Sequence, residues 1–474
     1  MDSRQNIRDY YNSLASKRDF WKKKSKYYQS IIEDFMSFVI PPQKKVLEVG
    51  CGTGDLLVKV QPEYGVGIDI SDKMVKIASK KYPKYKFLVQ DAQQINIVDR
   101  FDYIIFSDLI GNLDDVQLSL NELHKVINER SRIIITYYNF LWEQILNIAT
   151  FLGLKMPQPP QNWLSNTDIN NLLNICNFEI VKQGSLLLIP FNIPFLSNFI
   201  NNFIAKLPGI RRLCLVQYYI VRKNPNTYSD KEFSVSVIIP ARNEAGTIEQ
   251  AILRIPKLGS STEIIFIEGG STDNTLSQIK LMIKKYEHHK DIKLVNQYHS
   301  KGKGDAVRKG FAKAKNDILM ILDADLTVDP EALSKFYNAL RLNRGDLIMG
   351  SRLVYPMEKQ AMRFLNILGN MFFSSAFTFL LDQKIKDTLC GTKVLFKTDY
   401  LQIIQNRKYF GDFDPFGDFD LIFGAAKLNL KILEIPIRYR SRTYGNTNIS
   451  RFKHGLLLFK MMFFAAKKFK FHGK

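Results

Sequence analysis

Cysteine is scarce in this chain. The four residues, Cys51, Cys176, Cys214 and Cys390 in a chain of 474, stand too far apart for any paired spacing. That excludes a zinc-binding cysteine pattern and a disulfide framework, and it fits a reducing cytosol. Long apolar runs are missing too: no uncharged stretch reaches the roughly 20 residues of a bilayer-spanning helix. The start, Met1-Asp2-Ser3-Arg4, has no apolar segment of the kind a signal peptide needs. Acids are outnumbered 46 to 67 by lysine and arginine, a net charge of +21. Such an excess points to an anionic partner: a membrane surface, nucleotide phosphates or nucleic acid. The basic residues are dispersed and come with no recognition-helix or stacking-platform motif, which argues against nucleic acid. What is present, 46% hydrophobic and 24% charged residues, is the composition of a globular chain, long enough for two or three domains.

Residues 1–40 are polar, aromatic and basic, with apolar spacing that predicts helices forming a lid or brace, and Pro41-Pro42 ends them. Lys44 to Asp55 then reads as a strand, the turn Gly50-Cys51-Gly52-Thr53-Gly54 and a helix start. Glycines there let a ligand approach the backbone, and the helix N-terminus offers unpaired N–H groups. Three further strands end in acids: Gly65–Asp69, Phe87–Val89 before Asp91-Ala92, and Phe101–Phe106 before Ser107-Asp108. This order of acids after strands resembles class I S-adenosylmethionine-dependent methyltransferases over residues 1–223. The resemblance implies a cofactor site that includes Glu48 and Ser107 and in which Gly50, Gly52 and Gly54 flank the methionine part. Asp69 would hold the ribose, and Asp91 with Ala92 would lie near the adenine. The methyl acceptor stays unspecified. Tyr137 to Trp142 either orients an acceptor or packs in the core. Ser165 or Thr167 is a helix cap. Leu186 to Leu215, apolar but broken by Pro190, Pro194 and Pro208, is either a substrate cap or a segment lying on a membrane.

The polar stretch 224–231 reads as a linker, and residues 232–474 as a second domain. Phe233 to Ala241 and Glu263 to Glu268 are buried-strand runs with helix signals between them, predicting a parallel sheet. Lys301-Gly302-Lys303-Gly304 is a basic loop suited to a diphosphate. The apolar run Ile318–Leu322 closes on Asp323-Ala324-Asp325, two carboxylates at a strand's carboxyl end. Hard oxygen ligands there suit Mg²⁺ or Mn²⁺.

With these motifs in order, residues 233–474 resemble family 2 glycosyltransferases of the GT-A fold, and among them the polyprenyl- or dolichyl-phosphate mannosyl- and glucosyltransferases. The resemblance implies that Pro240, Arg242, Glu244, Glu268, Lys303 and Ala324 line a nucleotide-sugar site. Asp323 and Asp325 are then the metal pair. Arg352, Arg363 with Asn366, Arg440 and Arg442 contact phosphates, and 387–393 closes the acceptor side. The family's acid pair at the base is Glu268-Gly269 here, which leaves the nucleotide open. The fold class expected overall is α/β: two doubly wound domains, a Rossmann-like methyltransferase followed by a GT-A glycosyltransferase. A lipid-phosphate acceptor needs arginines and no base, whereas a glycan hydroxyl needs a carboxylate. Asp412, Asp414, Asp418 and Asp420 are candidates for that second role, or else an acidic helix cap. Met371–Leu381 and the lysine-rich apolar stretch Leu456–Lys470 fit the interface of an anionic leaflet, so the chain is expected as a peripheral protein on the cytoplasmic face.

Overall fold

The structure is a computed structural model and describes residues 3–225, 230–297, 302–355, 364–406, 418–445 and 451–471. The chain divides into two compact units, Met1–Asn224 with Lys470–Lys474, and Pro225–Phe469. Both are α/β, in line with the sequence.

The first unit opens with helices Ser3–Leu14, Arg18–Lys24 and Lys26–Val39. Its seven strands are β1 (Lys45–Val49), β2 (Tyr64–Asp69), β3 (Lys86–Val89), β4 (Phe101–Ser107), β5 (Ile127–Tyr138), β6 (Phe178–Leu186) and β7 (Val216–Lys223). They lie in the order β3-β2-β1-β4-β5-β7-β6. The first five are parallel, and β7 runs antiparallel to both β5 and β6. The central strands are near-continuous apolar runs because helices cover both faces. The strand order reverses between β1 and β4, the place where open sheets of this kind bind ligands. Since β7 is antiparallel, its first residue Val216 pairs with Tyr138 at the carboxyl end of β5. The segment leading into it therefore arrives beside that end. This is the proline-broken stretch, folded as a short helix Leu196–Asn202 and 3₁₀ turns. Ser165 caps the helix Asn166–Ile175 in a reciprocal box with Asp168.

The second unit has β8 (Val235–Ala241), β9 (Thr262–Glu268), β10 (Asp291–Asn296), β11 (Ile318–Ile321), β12 (Leu347–Ser351), β13 (Lys393–Phe396) and β14 (Ile432–Pro436). Their order is β10-β9-β8-β11-β13-β12-β14. The strands read from the sequence, β8, β9 and β11, pair in parallel as expected, and β13, not foreseen there, inserts antiparallel between β11 and β12. That insertion matters for the site. Val394 pairs with Met320, so β13 starts where β11 ends, and the loop before it crosses the carboxyl end of β11. Three of the expected cluster residues, Asp412, Asp414 and the side chain of Asp418, lie outside the described residues, as does Arg363.

Candidate functional site

In the first unit a cavity of about 1070 Å³ opens at the carboxyl ends of β1, β2, β4 and β5. Gly50, Gly52, Asp69, Asp91, Ala92 and Ser107 all line it. The turn after β1 needs its glycines, since Gly50, Gly52 and Gly54 have φ of 75°, 51° and 80°. They differ in role. A Cβ on Gly52 would meet only Arg18 Nε at 4.0 Å, so this position is an open cradle. A Cβ on Gly54 would strike the Phe87 ring, which makes Gly54 a packing glycine.

Asp69 closes β2 and is fixed by backbone: Oδ2 accepts from Gly52 N–H at 2.8 Å and Oδ1 from Ser71 N–H at 2.9 Å. Burial pushes its carboxyl up against those two N–H donors. Asp91 Oδ1 accepts from Gln93 N–H, and Arg4 stands 3.5 Å from Oδ2. Ser107 and Thr136 hydroxyls are 2.9 Å apart. Glu48 does not line the cavity. It is buried beneath the turn, where Oε2 accepts from Leu57 N–H at 2.9 Å. Burial pushes it up to about 8, against the pull of Lys22 and Leu57 N–H.

Two cavity residues have no role assigned by the sequence motifs. Asp108 has φ 52°, unusual for a non-glycine residue, and follows β4 directly. Its Oδ2 accepts from Tyr28 OH and its Oδ1 from Thr136 OH at 3.1 Å. Lys155 lies over the Tyr138 ring at 5.5 Å, and burial lowers it to about 8. The only sequence signals were an acid after a strand and the aromatic pair Tyr137-Tyr138. Of that pair, Tyr137 packs in the core and Tyr138 faces the cavity.

In the second unit the end of β11 gathers charge of both signs. Asp323 Oδ1 is 2.5 Å from Lys303 Nζ. Burial works to raise Asp323, but Lys303, Lys393 and Arg352 outweigh it and hold the carboxyl below its usual range. Asp325 Oδ1 accepts from Thr327 OH at 2.9 Å, and its Oδ2 from Arg442 Nη2 at 2.8 Å. Arg442 Nη1 donates to Glu244 Oε1 at 2.6 Å. Glu244 Oε2 is buried with no hydrogen-bond partner, and burial, aided by Asp325, pushes this carboxyl up to about 7 despite Arg442. Glu268 ends β9 and accepts from Ser271 N–H at 2.6 Å. Pro240 lies near the end of β8, Arg242 is exposed just beyond it, and Ala324 is buried between the two aspartates.

Arg440 and Arg442 belong to a loop stitched over this end. Tyr439 bridges Val328, Arg440 Nε pairs with Asp329 at 2.9 Å, and Tyr444 OH donates to Asp273. Arg352 is held in place by Asp387, with Nε to Oδ2 at 2.7 Å and Nη2 to Oδ1 at 2.8 Å. It thus acts on Asp323 through charge while its fork stays on Asp387. Gly391 lies so close that a Cβ would overlap Asp323 Oδ2 and Lys303 Nζ. Asp420 lies 3.4 Å from Arg308. Among the described residues, no cluster of three or more His, Cys, Asp or Glu side chains is set to hold a metal ion.

Comparison with known proteins follows the same division. Residues 40–177 match the family model described as a methyltransferase domain, and residues 236–403 the one described as glycosyl transferase family 2. The chain is 34% identical over 122 residues to the dolichol-phosphate mannosyltransferase of Pyrococcus furiosus, covering 25% of this chain and 33% of that protein. It is 27% identical over 231 residues to the dolichyl-phosphate beta-glucosyltransferase of Saccharomyces cerevisiae, covering 44% of this chain and 68% of the other. The match thus spans a third of the first relative's length. A solved SAM-dependent methyltransferase from Thermotoga maritima aligns with a TM-score of 0.36 at 16% identity, covering 46% of this chain and 100% of that one. The chain carries a methyltransferase domain followed by a family 2 glycosyltransferase domain.

Proposed function

We propose that the chain is a bifunctional enzyme. Its second unit moves a sugar from a nucleoside-diphosphate sugar to a polyprenyl or dolichyl phosphate, with inversion at the anomeric carbon. Its first unit is an S-adenosylmethionine-dependent methyltransferase. The observation that carries the glycosyltransferase reading is the interleaved charge at the end of β11: Asp323, Asp325 and Glu244 against Lys303 and Arg442.

In sugar transfer, negative charge grows on the departing diphosphate. Lys303 and Arg442 stand ready to meet it, because each already pairs with a carboxylate and can exchange it for a phosphate oxygen. Asp323 and Asp325 are the carboxylate pair that would hold a divalent cation completed by phosphate oxygens and water. Such a cation would supply further neutralisation of the leaving group. Pro240, Arg242 and Glu268 border the nucleotide at the ends of β8 and β9. A phosphate monoester, with a second pKa of about 6, arrives as an anion and attacks without a base. Arginines must position it, and Arg440 and Arg442 on the stitched loop serve. The named activities of the mannosyl- and glucosyltransferase relatives support a lipid-phosphate acceptor.

In the first unit, Gly50 and Gly52 with Asp69, Asp91, Ala92 and Ser107 would hold S-adenosylmethionine. The open cradle at Gly52 and the backbone-fixed Asp69 carboxylate fit that ligand. The protein works at an anionic membrane surface on its cytoplasmic face. No described helix is long and apolar enough to cross a membrane. Met371, Phe372, Leu456, Phe459 and Phe463 are nonetheless exposed on two packed helices, Phe364–Leu381 and Arg451–Ala465, with Lys460, Lys467 and Lys468 close by in sequence.

The test is to incubate the full chain with a panel of nucleoside-diphosphate sugars, polyprenyl phosphate and Mg²⁺ or Mn²⁺, and to analyse products by mass spectrometry. A lipid-linked sugar phosphate is expected. It should disappear with chelator and in Asp325→Ala. Transfer only to glycan hydroxyls would overturn the acceptor.

A further inference from the structure

The cavity of the first unit extends well past the residues assigned to the cofactor. Its volume of about 1070 Å³ exceeds the roughly 300–1,000 Å³ typical of a single small-molecule site. The surplus space has an apolar wall, built from Trp142 and the helix Glu143–Phe151 with the loop after it: Ile145, Ile148, Leu152 and Leu154. On that helix only Leu146 is buried, whereas Ile145 is 52% and Ile148 60% exposed. A helix that leaves its apolar residues at a cavity rim has not found its partner within the unit. Pro190-Phe191-Asn192, which also line the cavity, belong to the segment that leads into antiparallel β7, and Phe191 too is exposed.

One polar group of residues, Arg18, Tyr28, Asp108, Tyr138 and Lys155, lines the same cavity. Asp108 accepts from Tyr28 and Thr136. Tyr138 packs on Tyr28 with ring centroids 6.0 Å apart, Lys155 lies on Tyr138, and Arg18 lines the same space. The methyltransferase reading above gives none of them a task.

We propose that this chamber is the methyl-acceptor site and that it takes an amphipathic alcohol, the apolar body along Trp142, Ile145, Ile148 and Leu152 and the hydroxyl on Asp108. The inference rests on the methyltransferase reading of this unit. A neutral hydroxyl must lose its proton as it is alkylated. Each Asp108 oxygen has one hydrogen bond in place and a second lone pair left to accept the acceptor's O–H. In the transfer an O–CH₃ bond forms and the sulfonium S–CH₃ bond of S-adenosylmethionine breaks, its electron pair staying on sulfur. The hydroxyl proton passes to the Asp108 carboxylate and then to water. Arg18 and Lys155 disfavour an ammonium acceptor in the same place, and Asp108 disfavours a carboxylate or phosphate.

The experiment uses the full chain saturated with S-adenosylhomocysteine and titrates 1-hexanol, 1-octanol, 1-decanol and 1-methoxyoctane by calorimetry. Affinity is expected to rise by up to about 4-fold per methylene, and octanol to bind about tenfold tighter than its methyl ether, as a hydrogen bond to a charged group allows. Asp108→Ala should erase the preference for the alcohol and Ile148→Asp should weaken all four probes, both with S-adenosylhomocysteine affinity kept. Asp108→Asn, which preserves shape and one acceptor oxygen but removes the charge, should reduce the preference for the alcohol rather than erase it, and serves if the alanine variant loses S-adenosylhomocysteine. Binding that ignores chain length, or alcohol and ether bound alike, overturns the proposal. Failure of the wild type to bind S-adenosylhomocysteine would instead overturn the methyltransferase reading beneath it.

Discussion

Lys303 Nζ lies 2.5 Å from Asp323 Oδ1, although the two residues belong to different elements, the helix after the basic loop and the end of β11. Lys303 thereby holds the carboxylate charged and is itself placed where the diphosphate is expected. Lys303→Ala should lower sugar transfer by about 10²–10³, the usual cost of one lost electrostatic stabiliser. The check is initial rates together with calorimetric affinity for the nucleoside diphosphate, both of which should fall while the melting temperature holds.

Gly391 owes its identity to the same pair. Its φ is not in the left-handed region, so the backbone does not require glycine there. Space does: a Cβ would overlap Asp323 Oδ2 and Lys303 Nζ. Gly391→Ala should force the pair apart and lower activity at least about tenfold, with a modest loss of stability in the range of about 1–3 kcal/mol typical of overpacking. Denaturant unfolding alongside initial rates separates the two effects, and full activity in the variant would refute the close approach.

Glu48 gives the first unit a pH dependence whose sign is set. Burial raises its carboxyl from 4.5 in the unfolded chain to about 8 in the folded one. The folded state holds the proton more tightly, so this contribution to stability is complete below pH 4.5 and is lost as pH rises toward 8. The slope cannot exceed about 1.4 kcal/mol per pH unit. Glu48→Gln keeps an acceptor for Leu57 N–H and should flatten the loss. Thermal melts at pH 5.5 and 8 should show the variant gaining at the higher pH.

Most of what a strand or turn can announce locally was legible. The apolar runs of β1, β8 and β11, the turn at Gly50 to Gly54, and the aspartates after β11 were all readable, because burial on both faces and close backbone approach leave marks in adjacent residues. Relationships made by long-range pairing were not. Nothing near Lys393–Phe396 says that this strand inserts antiparallel between β11 and β12 and so carries Gly391 onto Asp323. Arg352 and Asp387 were both read as site residues, but their mutual fork needs the fold to bring them together. The acceptor side of the first unit had the weakest mark of all: Asp108 is one acid after one strand until Tyr28, Thr136 and Lys155 surround it.

The last expectation concerns the membrane. Phe459 packs on Phe372 and Phe373, with centroids 5.9 and 5.1 Å away, so the helices Phe364–Leu381 and Arg451–Ala465 form one surface. That surface leaves Phe463 68% and Leu456 62% exposed, more apolar area than an isolated surface residue explains. Lysines at 460, 467 and 468 accompany it, and each lysine near an anionic leaflet contributes about 1 kcal/mol. Binding should therefore need both parts. Sedimentation with vesicles containing phosphatidylserine should exceed that with neutral vesicles and fall as salt shortens the screening length. Phe463→Asp with Leu456→Asp should release the protein from anionic vesicles even at low salt, because charge alone gives only loose attachment. Retention of the double variant would assign the binding to charge elsewhere on the chain, and salt-resistant retention of the wild type would mean that insertion dominates.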